Sequence, residues 1–159
     1  MVTLTAMTPE LIHCFYKEFD IDPDLFLDKS QYKPYVYDSE QCSKRLERYK
    51  ALGRVYLAVM LDNKPIGEVV LKNIDNQKRC CTMGITMIND RYKGKGYGTA
   101  AEKLILKYAF NTMGFTTVFA DALITNMRSR HVLEKVGFIK THQDEQFIYY
   151  RCDKPQSSI

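Results

Sequence analysis

Arg91-Tyr92-Lys93-Gly94-Lys95-Gly96-Tyr97-Gly98-Thr99 sets three glycines at alternate positions among three basic side chains, directly before a stretch with helical periodicity. Glycine lacks a Cβ, so successive backbone N–H groups can turn toward a ligand and approach it closely. A helix beginning near Gly98 adds unpaired first-turn donors and the positive end of its dipole. The chemistry of such a loop is anion binding, and a diphosphate suits it. A helix dipole contributes only about 0.3–1 kcal/mol at an exposed site, so converging N–H groups must supply most of the grip, with Arg91, Lys93 and Lys95 adding charge at the rim. Neither the Gly-x-x-x-x-Gly-Lys-Ser/Thr nucleotide loop nor the Gly-x-Gly-x-x-Gly dinucleotide spacing is present.

A second constellation lies downstream. Asn126 can cap a helix whose apolar stripe is Val132, Leu133 and Val136 and whose terminator is Gly137, with Ser129 one turn inside it. Arg91-Tyr92-Lys93-Gly94-Lys95-Gly96 resembles the Arg/Gln-x-x-Gly-x-Gly/Ala loop of the GNAT acetyltransferases. The run Asn126 to Phe138 resembles the Asn-x-x-Ser-x-x-Val-Leu-Glu-Lys-x-Gly-Phe segment of the ribosomal-protein and polyamine N-acetyltransferase branches of that superfamily.

The resemblance implies acetyl-coenzyme A as cofactor and direct attack by a primary amine, either a small molecule or a protein N-terminus. It implies a sheet splayed at its centre, where the strand Met83 to Ile88 parts from Thr117 to Ile124 and offers backbone near Met87 and Ile88 to the pantetheine arm. Residues Arg91 to Thr99, Tyr97 and Gly98 included, would hold the diphosphate. Asn126 would touch the arm, and Ser129 would serve the departing thiolate. Leu133 stands where many relatives carry a tyrosine acid, and Thr82 where several carry a glutamate. Glu68 and Asp121 are the carboxylates left to take a proton through a water. A non-catalytic acyl-CoA-binding sensor or partner module is the rival reading, and it predicts binding without thiol release.

The elements that must position these groups follow from period and punctuation. Val2 to Thr5 reads as a strand, and Thr8-Pro9 as the start of a helix with Leu11, Ile12, Phe15 and Phe19 inward. The Tyr-, Pro- and Asp-rich segment 20–38 reads as a loop, of the kind that often carries specificity. Ser39 is expected to cap a second helix burying Cys42, Leu46 and Tyr49, with Gly53 closing it. Val55–Leu61 and Ile66–Asn73 flank a turn cluster and predict a hairpin, and Arg79–Ile88 a third strand. A helix from Gly98 to Gly114, with Ala101, Leu104, Ile105, Tyr108 and Ala109 inward, then leads to a strand at Thr116–Ile124, which requires a parallel pairing. Strands at Phe138–His142 and Gln146–Cys152 finish the chain. The expected fold is α/β (α+β): a mixed sheet of six to seven strands with helices on both faces, one domain over residues 1–154 and a short polar tail at 155–159.

Composition narrows the surroundings. No apolar run approaches the ~20 residues of a membrane span, and the start lacks the basic head and apolar stretch of a secretory signal. A cytoplasmic location is expected. The five cysteines form no Cys-x-x-Cys pair, and no metal-ligand spacing joins them to histidine, so no metal is expected. The net charge of +4 is spread along the chain without a basic run for nucleic acid. The last strand pair is an edge through which two copies could pair as a homodimer.

Overall fold

The computed structural model describes residues 1–26 and 28–156; the end of the expected tail, 157–159, lies outside them. The chain runs β1 (Val2–Ala6), α1 (Pro9–Glu18), α2 (Ser39–Ala51), β2 (Val55–Leu61), β3 (Lys64–Asp75), β4 (Cys80–Met87), α3 (Tyr97–Lys107), β5 (Thr117–Leu123), α4 (Met127–Lys135), β6 (Ile139–Gln143) and β7 (Phe147–Asp153). Seven strands form one sheet in the order β1-β2-β3-β4-β5-β7-β6. β4 and β5 are parallel, and the other neighbours are antiparallel. Two short 3₁₀ turns, Pro23–Leu25 and Lys29–Gln31, are the regular structure in the 20–38 loop. Among the described residues no helix is long and apolar enough to cross a membrane.

Local chemistry explains the boundaries. Thr8 caps α1 by accepting the Leu11 N–H at 3.2 Å, with Pro9 in the first turn. The second helix is capped by Asp38, which accepts the Gln41 N–H, so Ser39 is its first residue rather than the expected cap. Asp38 wins because an extended backbone there aims its carboxylate at the orphan amides. Gly53 at φ 69° and Gly137 at φ 113° close α2 and α4 in the left-handed region. The hairpin turn is shorter than its Asp62-Asn63-Lys64-Pro65 cluster suggests. Lys64 and Pro65 already belong to β3, and a register shift between Val59 and Met60 absorbs the extra residue.

The centre of β3 is buried on both faces: Ile66 and Val69 are fully covered, and Glu68 between them is only 6% exposed. Helices α1 and α2 cover the face that carries Glu68, since Tyr16 and Arg45 reach that residue. Helices α3 and α4, in contact with each other, cover the opposite face. Gly67 is the tight point. A Cβ there would lie 3.2 Å from the Val59 Cβ and 3.1 Å from the Met87 sulfur. Gly67→Ala should therefore lower stability by about 1–3 kcal/mol through overpacking, read as a drop in urea midpoint with an unchanged slope.

Candidate active site

The parallel ladder between β4 and β5 is short. It joins Cys80, Cys81 and Thr82 to Thr117, Val118 and Phe119 and then stops, although β4 continues to Met87 and β5 to Leu123. β4 stays bonded to β3, and β5 to β7, along these lengths. The two lips therefore diverge, and their facing backbone groups lack a sheet partner. A cleft of about 340 Å³ opens there, reaching from Arg45, Tyr49 and Glu68 on one side of the sheet to Glu102 and Leu133 on the other.

At one end of β4 stands the glycine loop. Gly94 and Gly96 have φ of 73° and 82°, and a Cβ at Gly94, Gly96 or Gly98 would meet no protein atom within 4 Å. The concave side of the loop is thus open for a ligand to approach the backbone. Helices α1, α2 and α4 each receive a side-chain cap from Thr8, Asp38 or Asn126, whereas α3 begins at Gly96 with none. The N–H groups of Tyr97, Gly98 and Thr99 occupy its first turn and have no carbonyl within the helix to bond. This donor set fits a diphosphate. Arg91 and Lys95 are exposed. Lys93 is engaged, 3.0 Å from Asp22 and 3.2 Å from Asp90.

Of the other residues singled out by sequence, Asn126 accepts the Ser129 N–H at 3.1 Å as the cap of α4. Asn126, Ser129, Glu68 and Asp121 all line the cleft. Ile88 has less to offer. Its N–H donates to the Ile66 carbonyl, its carbonyl accepts from Asp20, and its side chain is fully buried. The free edge of β4 accordingly lies before it, within Met83 to Met87. The structure thus joins Glu68, Asp121, Asn126 and Ser129 in one cleft, whose lining does not include Arg91 or the loop glycines.

Two buried glutamates in this cleft have opposite surroundings. Glu68 accepts from the Tyr16 hydroxyl at 2.5 Å and from the Tyr56 hydroxyl, with the Arg45 guanidinium 3.7 Å away. Burial, then the neighbouring Glu68 charge, drives both tyrosines far above the usual phenol range, so they remain O–H donors. Glu102, 2% exposed on α3, has no such partners: its Oε2 is buried without a hydrogen bond. Burial alone pushes its carboxyl up to about 8. Sequence reasoning missed Glu102, and the available signal was its place in the stripe Ala101, Ile105, Ala109, where an apolar residue is expected.

The acetyltransferase (GNAT) domain family matches residues 2–139. YdaF of Bacillus subtilis strain 168, whose name assigns it provisionally to ribosomal N-acetylation, is 28% identical over 102 residues, which are 64% of this chain and 55% of that protein. The chain therefore spans about half the length of that relative. Aminoglycoside-bound AAC(6')-Ib, solved with ribostamycin and coenzyme A, has the same fold at a TM-score of 0.78 and 17% identity, over 96% of this chain and 93% of that one. So does the ribosomal-protein-S5-alanine acetyltransferase of Vibrio fischeri, at 0.72 and 17% identity over 97% and 96%. Splayed sheet, glycine loop and family match define one class: the chain belongs to the acetyltransferase (GNAT) domain family.

The unpartnered acid has a measurable consequence. Its carboxyl ordinarily titrates near 4.5, so between that value and about 8 the folded state binds more proton than the unfolded one. Stability must then fall as pH rises through this window, by at most about 1.4 kcal/mol per pH unit from this group. Urea midpoints compared at pH 5 and pH 8 should show that fall in the wild type and a smaller one in Glu102→Gln.

Proposed function

We propose that this protein is an acetyl-CoA-dependent N-acetyltransferase that acetylates a primary amine, a small molecule or a protein N-terminus, by direct attack. The observation that carries the reading is continuity. The splayed strand β4 runs directly into the loop that opens α3 without a side-chain cap, and α3 itself reaches the cleft through Glu102; this supports a diphosphate at the loop and an extended arm between the lips. Acetyl-CoA, when bound, supplies an activated thioester, so the protein needs to orient, deprotonate and exclude water. Backbone amides from Gly94 to Thr99 hold the diphosphate, with Arg91 and Lys95 at the rim. Alternate backbone groups of Met83 to Met87 hold the arm, and Asn126 faces it from the start of α4.

Glu68 is the better placed of the two expected bases. It sits on the α1–α2 side of the cleft, and its carboxylate is fixed by Tyr16, Tyr56 and Arg45. It takes the amine proton through a water. Asp121 is exposed at the other lip and remains the alternative acceptor. Ser129 lies in the first turn of α4, beside the cleft, where its hydroxyl serves the departing thiolate.

Thiol release from acetyl-CoA should appear with at least one member of a panel of polyamines, amino acids, aminoglycosides and N-terminal peptides. Binding of coenzyme A with silence across the panel would favour the sensor reading. Replacing Gly94 and Gly96 by alanine strains two left-handed residues by roughly 1–2 kcal/mol each, and calorimetry should then show coenzyme A affinity reduced at least tenfold. With an acceptor in hand, Glu68→Gln should lower kcat by about 10²-fold or more while leaving coenzyme A affinity within twofold; an unchanged kcat rejects Glu68 as the base.

A further inference from the structure

Glu102 has no assigned role, yet it is a buried acid in the cleft with an oxygen that has no hydrogen bond. A carboxyl that is 2% exposed, with Oε2 buried and without a hydrogen bond, loses its hydration and gains nothing in the ligand-free protein. Leucine in that stripe would pack at no such cost. The position nonetheless lines the cleft, on the same helix whose N-terminus forms the anion loop. From Tyr97 to Glu102 the helix advances only about 7.5 Å, so Glu102 borders the stretch just beyond the diphosphate.

We propose that Glu102 is a cofactor-binding residue whose carboxyl O–H donates a hydrogen bond to an amide carbonyl of the pantetheine arm. The inference rests on the reading of the cleft as an acetyl-CoA site. An un-ionised carboxyl is the form burial favours here, and it is the form that can donate. The arm carries two amides, each with a carbonyl that must leave water when it enters the splay, and such groups need partners. The β4 lip can satisfy those facing it, while Glu102 offers a donor from α3.

The charged and titratable groups sharing the cleft with it are Glu68 and Lys72 of β3, Arg45 and Tyr49 of α2, Arg54 just before β2, and Asp121 of β5, while β4, α4 and β7 contribute none to its lining. Among the described residues none forms an ion pair with Glu102, and burial is the cause of its raised titration. The α1–α2 side is where Arg45 and Glu68 already satisfy each other, so the unpaired acid does not belong to that network.

Titration calorimetry with coenzyme A on the full chain, across pH 6.5 to 9, tests the assignment. In the wild type, affinity should fall several-fold between pH 7 and 9 as Glu102 loses its proton. Glu102→Gln keeps an N–H donor, so its affinity at pH 7 should stay within twofold of wild type and its decline over the same range should be smaller. Glu102→Leu should weaken binding about 3- to 10-fold at pH 7, the factor expected for one lost hydrogen bond, while raising the thermal midpoint of the ligand-free protein. Equal coenzyme A affinities for wild type and Glu102→Leu would overturn the proposal, leaving a purely structural residue. Should the leucine variant not fold, wild-type and glutamine pH profiles of the same slope would overturn it as well. Absence of any heat with wild-type protein would instead reject the acetyl-CoA site itself, so the two failures are distinguishable.

Discussion

The structure turns on where the β4–β5 ladder stops. A parallel pair held by three residues cannot keep two long strands together, and each strand has a full antiparallel partner on its outer side. The two halves of the sheet can diverge without losing order. Divergence leaves backbone donors and acceptors along both lips, and buried backbone groups demand partners. An extended ligand rich in amides answers that demand as a missing strand would. The loop that follows β4 adds a second demand, because its glycines and the uncapped start of α3 leave amides open.

Two carboxylates of the same cleft show how surroundings rather than residue type assign a role. Glu68 is surrounded by two hydroxyl donors and a guanidinium; Glu102 is buried with one oxygen that has no hydrogen bond. Donors and a cation converge on the first, whereas burial favours keeping the proton on the second. The sheet stands between the two helical layers, so each environment is built by a different pair of helices.

How much of this could be read in the chain depends on whether the cause is local. The turn of the glycine loop is legible because Gly94 and Gly96 take left-handed backbone that glycine alone adopts freely, and the cap at Asn126 because it bonds an amide three residues on. Strand order through the parallel crossover also followed from sequence period. The cap of α2 fell one residue away from expectation, since Asp38 and Ser39 are both competent and backbone conformation decides between them. Pro65 looked like turn chemistry but sits in β3, where the register shift accommodates it. Lys93 seemed free to bind phosphate, yet Asp22, 71 residues earlier, meets it. Glu102 was hidden for a similar reason: one acid on a helix reads as surface until packing places that stripe beneath the sheet.

The 20–38 segment is tied down at separated points on other parts of the chain. The Asp20 N–H bonds the Ile88 carbonyl, Asp22 meets Lys93 beside the glycine loop, and the Leu25 carbonyl receives the Thr125 hydroxyl just before α4. Asp20 also gathers the Tyr32 hydroxyl and the Tyr35 amide. These moorings knot the end of β4, the glycine loop and the approach to α4 to a single stretch of chain, so a displacement of any one of them pulls on the other two.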